Sequence, residues 1–205
     1  MLNDWMLEQP EDSDNWFFIP SPRGQRNICV AANGKTRFFS NRGECRLEIE
    51  TSLPGGTAKN MSGTKSKHTL LDVIVSYYSK TIYVIDILKW NGMEYYESDF
   101  EFRQTWKNYK LLELDPSHSN WKIKNLNAFA FNDSSAVEFY KQVEYDLDGL
   151  LLYHREGMYY CSGVENDTFA LFGWIKHDKM AEIVGQTCEF QNVSKEDKKP
   201  DMTDK

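Results

Sequence analysis

The chain has 205 residues, 40% of them hydrophobic and 14% aromatic, enough for one sizeable core or two small ones. Its formal net charge of -7 excludes a general polyanion binder, so any contact with nucleic acid must come from a few cations in a pocket. Four cysteines without a Cys-x-x-Cys pair and four histidines without common spacing point to no metal site and to free thiols. No apolar run has signal-peptide or membrane-spanning character.

In chain order, Trp16–Ile19 and Asn27–Ala31 read as strands on either side of a Pro/Gly turn. Asn33-Gly34 marks a hairpin from the second of these into Thr36–Phe39, and Asn41–Glu44 makes the next turn. Residues 51–66 read as a mobile loop. Leu70–Val75 and Thr81–Leu88 pair around Ser79-Lys80. Three helices are expected: Ser98–Leu112 with Phe100, Trp106, Tyr109 and Leu112 on related faces, Ser134–Tyr145 behind Asp133, and Asp178–Val184 stopped by Gly185. Asp148–Tyr153 and Thr168–Ile175 are apolar β-formers. The polar end suggests a domain over 1–192 and a disordered tail over 193–205. Hairpin links outnumber βαβ crossovers, so the expected class is α+β with mainly antiparallel strands and peripheral helices. Asp72 and Asp86 lie in strand patterns, where structural hydrogen bonding is the default.

One segment carries chemistry. Ser21-Pro22-Arg23-Gly24-Gln25-Arg26 fits Lys-x-Asp-Gly-x-Arg, the nucleotidyl-transfer motif of enzymes that cap RNA or ligate nucleic acid, with Ser21 in place of lysine and Arg23 in place of aspartate. In those enzymes the lysine amine attacks the α-phosphate. Without that nucleophile the chain should bind a nucleotide and not transfer it, so no catalytic residue is assigned.

The segments Asn15-Trp16, Pro22–Arg26, Ser52–Gly56, Thr69–Asp72, Tyr83–Asp86, Lys89–Gly92, Asp148–His154 and Gly173–Ile175, in that order, resemble the snurportin cap-binding domain. This family recognises the 2,2,7-trimethylguanosine cap of spliceosomal small nuclear RNA on a core similar to RNA guanylyltransferases. The resemblance therefore implies a nucleotidyltransferase-like core of twisted antiparallel sheets. It also implies Trp174 stacked on the methylated base, whose N7-methyl group makes the ring cationic. Otherwise Trp174 would be a core residue. Trp5 and Asn3 match positions beside the cap, and Trp5 equally suits an anchor for the N-terminal arm. Arg26 would face phosphate, with Gln25 where the family tends to have lysine. Asn41 aligns with a family lysine, and Arg42 next to it is the alternative cation. Asp148 reads as a turn or strand-start residue. No acid follows Trp174 in sequence before Asp178, which suggests preference for a trimethyl over a monomethyl cap.

The resemblance also implies capped small nuclear ribonucleoprotein as partner, a monomer shuttling between cytoplasm and nucleus, and no cofactor or membrane. An importin-β contact is expected only through a basic helical segment that this sequence does not contain. The alternatives are an RNA capping or ligase-type nucleotidyltransferase and a silent protein-interaction module.

Overall fold

The computed structural model describes the backbone of residues 4–5 and residues 10–58, 68–115, 119–131, 143–159 and 172–176. The described strands are β1 (Asp4–Trp5), β2 (Trp16–Pro22), β3 (Gln25–Ala32), β4 (Lys35–Phe39), β5 (Cys45–Ile49), β6 (Thr69–Ser76), β7 (Thr81–Trp90), β8 (Met93–Glu94), β9 (Lys122–Asn125), β10 (Phe129–Ala130), β11 (Leu147–His154) and β12 (Phe172–Lys176). One α-helix is described, α1 (Phe100–Leu112).

Two sheets result. The first runs β1-β12-β11-β2-β10; the second runs β5-β4-β3-β6-β7-β8, with β9 also on β7. Pairing is antiparallel except for β1 with β12 and β9 with β7. The β3–β4 hairpin turns at Asn33 (φ 54°) and Gly34 (φ 78°), both left-handed, as the Asn-Gly pair predicts. The Pro/Gly turn does something else. It carries the chain from β2 in the first sheet to β3 in the second, so the segment Ser21–Arg26 bridges the two layers.

The facing layers meet in a core of Ile19, Leu151 and Tyr153 from one side and Ile74, Tyr83 and Ile85 from the other. The opposite face of the second sheet buries Phe38, Leu71, Val73, Val84 and Trp90. Both faces of β7 are thus covered, which explains its nearly unbroken apolar run. Residues 51–58 are not the mobile loop that their composition suggests. Leu53 is buried, Gly34 N donates to Gly55 O at 2.9 Å, and Thr69 Oγ1 donates to Pro54 O at 2.9 Å.

The helix begins as expected, with Asp99 as N-cap accepting from Phe102 N at 2.7 Å. Its buried face does not. Tyr109 and Leu112 are exposed, while Phe100 is buried together with Arg103, Gln104 and Lys107. The cause lies in the edge of β7. β9 covers Thr81–Val84 and β8 covers Lys89–Trp90, leaving backbone between them that side chains must satisfy. Gln104 Nε2 donates to Ile85 O at 3.1 Å. Lys107 Nζ donates to Ile85 O at 3.0 Å, Leu126 O at 2.6 Å and Gln104 Oε1 at 2.5 Å. Burial pushes the Lys107 pKa down to about 7. Asp86, fully buried on β7, pairs with fully buried Arg103.

The second expected helix has residues 134–142 outside the described residues, and 143–145 are not helical. The third expected helix and the tail over 193–205 lie wholly outside them. The described architecture is therefore α+β but sheet-dominated, with one of the three expected helices lying among the described residues.

Candidate functional site

A cleft of about 530 Å³ opens beside the bridging turn. Its walls come from both layers: Ser21 and Pro22 end β2, Gln25 and Arg26 begin β3, and Trp174 reaches in from β12. The β4–β5 turn closes another side with Asn41 and Arg42. Five residues expected at a binding site (Gln25, Arg26, Asn41, Arg42 and Trp174) thus share one cleft, although they lie up to some 150 positions apart in sequence.

Arg26 is not simply a cation turned to solvent. Its Nε donates to Asp72 Oδ1 at 3.0 Å and its Nη2 to Asp72 Oδ2 at 2.6 Å. Nη2 also donates to Tyr153 Oη at 2.9 Å. The Arg26 side chain is 23% exposed and that of Asp72 only 1%. Burial opposes the arginine's charge, but the Asp72 carboxylate outweighs it and holds the guanidinium pKa above its ordinary value. Asp72 does the structural hydrogen bonding that its strand position suggests, and its partner is the motif's surviving cation. Removing Arg26 would leave a buried carboxylate unpaired, so a loss of phosphate binding in such a variant would be mixed with a loss of stability.

Trp174 is half-buried. It lies opposite Leu151 across the β11–β12 ladder and packs against the interlayer core while still lining the cleft. The ring is thus a partly buried core residue that also faces the cleft. Its indole edge abuts Gly149. A Cβ at Gly149 would lie 2.9 Å from Cζ2 of the indole and 2.2 Å from Ile175 O, so only glycine lets β12 and the ring approach β11 this closely. Trp5 lies in β1, directly opposite Trp174 in the parallel pairing, and its side chain is outside the described residues. Asn3 also lies outside them.

Sequence reasoning missed several neighbours. Asp148 takes the strand-start half of its reading, as the second residue of β11, but its place in the cleft was not foreseen. It occupies an irregularity in β11, where the register against β2 shifts between Leu147 and Gly149, and it lines the cleft. Asp72 lines it too. The selectivity argument from a lack of acids near Trp174 therefore fails: it counted sequence neighbours, and the fold brings two carboxylates to the same cavity. Arg46 is another lining cation, paired with Glu44. Alternation could have found it, because Leu47 and Ile49 turn toward the core and Arg46 and Glu48 away from it.

The cleft thus brings a half-buried indole together with three arginines, Arg26, Arg42 and Arg46. The family model of the Snurportin1 m3G cap-binding domain matches residues 1–177, and the chain belongs to this family. Among solved structures it is similar to the ligase domain of M. tuberculosis LigD (14% identity, 85% of this chain, 58% of that one, TM-score 0.47). It is also similar to a mycobacterial DNA ligase D complexed with ATP and MES (15% identity, 85% and 60%, TM-score 0.49). A third likeness is to Lig E DNA ligases (13% identity, 86% and 69%, TM-score 0.46). The chain thus spans less than two thirds of the first two of these structures.

Proposed function

We propose that this chain recognises the 2,2,7-trimethylguanosine cap of spliceosomal small nuclear RNA, on a nucleotidyltransferase-like core that no longer transfers nucleotides. The observation that carries the reading is Trp174 in one cleft with the bridging motif Ser21–Arg26. An N7-methylated guanine is a cationic aromatic ring, and stacking it on an indole combines dispersion with a cation–π attraction. Arg42, from the β4–β5 turn, is the lining cation left for the phosphate bridge, since Arg26 is held by Asp72 and Arg46 by Glu44. On this reading the chain is the cargo-binding part of a nuclear import adaptor, a monomer that shuttles between cytoplasm and nucleus. In this reading Trp5 and Asn3 belong to the cap's surroundings, on the sequence resemblance alone.

Preference for the trimethyl cap now rests on the family and on the apolar lining of Leu151, Ile74 and Pro22. Competition between trimethyl- and monomethyl-capped dinucleotides for one site tests it. The trimethyl cap should win by about 1 kcal/mol for each additional methyl group buried. Equal or tighter binding of the monomethyl cap would make the chain a general cap reader and remove the chemical support for the adaptor role.

The transferase alternative needs an amine at the α-phosphate. Ser21 is buried on β2, and among the described residues no lysine lines the cleft. Lys107, whose lowered pKa would suit a nucleophile, is enclosed by three acceptors elsewhere. Incubation with labelled GTP or ATP and a divalent metal should therefore leave no label on the protein after denaturing gel separation at neutral to alkaline pH, where an acid-labile lysine–nucleotide phosphoramide would survive. A stoichiometric adduct would restore the enzyme reading.

A further inference from the structure

The charges of the cleft are not evenly matched. Asp72 is neutralised by the two-pronged contact from Arg26, and Arg46 is paired with Glu44. Two charged groups remain. Among the described residues, Arg42 on the β4–β5 turn and Asp148 on β11 have neither an ion pair nor a side-chain hydrogen bond. They belong to different walls. Asp148 immediately precedes Gly149, the residue against which the Trp174 indole rests, whereas Arg42 comes from the second sheet.

We propose that Asp148 reads the N7-methylation state of the ligand base, as the negative pole of a cleft whose positive pole is Arg42. The inference rests on the stacking reading above and deepens it. An N7-methylated guanine nucleotide is a zwitterion: its ring carries a positive charge and its phosphate bridge negative ones. A cleft lined by a carboxylate from the strand next to the indole and by a guanidinium from the other sheet fits that ligand in one orientation. The same guanine without the N7 methyl has a neutral ring and gains nothing from Asp148 beyond hydrogen bonding. The irregularity in β11 gives the residue its place, because it breaks the ladder register between Leu147 and Gly149. Half-burial keeps the carboxylate's field from being fully screened by water.

The test measures the affinity of a trimethyl-capped dinucleotide and of its counterpart lacking only the N7 methyl. Both are titrated against the wild-type chain and the Asp148→Asn, Asp148→Glu and Trp174→Ala variants. Asp148→Asn, nearly isosteric, should weaken the N7-methylated ligand about three- to tenfold and the other by less than about twofold. Asp148→Glu should recover much of the discrimination. Equal effects of Asp148→Asn on both ligands, or no effect on either, would overturn the proposal while leaving the stacking reading intact. If Trp174→Ala binds both ligands as the wild type does, the stacking reading itself falls, and this inference with it.

Discussion

Replacing Asp86 with alanine should destabilise the folded chain by roughly 3–5 kcal/mol, the usual cost of stranding a buried charge. Asp86 is fully buried and gathers donors from three elements. Arg103 Nε reaches its Oδ2 at 3.0 Å, and Tyr159 Oη reaches the same oxygen at 3.0 Å. Gln104 Nε2 donates to Oδ1 at 3.2 Å and the backbone N of Ile87 at 2.8 Å. Arg103 has no exposed side-chain surface, and its other contacts are carbonyls of Ser98 and Gly157 and the ring of Tyr159, 4.6 Å from its guanidinium carbon. Without Asp86 its charge would stay buried with only dipoles and a π-face to balance it. Urea unfolding of the variant measures the loss. Adding Arg103→Met should recover a large part of it, because the stranded charge and not the missing contact carries most of the cost. A loss below about 1 kcal/mol would mean that water reaches Arg103 freely.

Trp174→Ala should weaken binding of the trimethyl cap by roughly 1–3 kcal/mol, the scale of a lost base stack. The variant should also lose some stability, because the indole packs on the interlayer core as well as lining the cleft. Isothermal titration of the folded variant separates the two effects, and a thermal melt in the absence of ligand reports the second alone. An unfolding transition moved down with unchanged cap affinity would assign the ring to the core only. A companion Trp174→Phe keeps an aromatic face with a weaker quadrupole, so its affinity should fall between the two.

The strands were largely legible. Asn33-Gly34 specified its hairpin because both residues tolerate the left-handed backbone that the turn requires. The β6–β7 pair followed from two apolar runs around a short polar turn. The helix face was misjudged. Apolar spacing pointed to Tyr109 and Leu112, yet β7 needed donors along its open edge, and Arg103, Gln104 and Lys107 supply them. A hydrophobic pattern carries no record of which backbone groups a neighbouring strand leaves unsatisfied.

The site divides in the same way. By itself the sequence shows Ser21 and Arg26 in a segment that fits a transfer motif without its lysine, and its ordered blocks pointed to the family now matched over residues 1–177. Those are statements about residue identity along the chain. Only the tertiary structure decided that Arg26 is held by Asp72 and Tyr153, that Gly149 makes room for the Trp174 ring, and that Asp148 shares its cleft. The physical reason is that the motif crosses between two sheets. Its neighbours in space come from β6, β11 and β12, and charge interactions depend on distance and burial, which sequence separation does not encode.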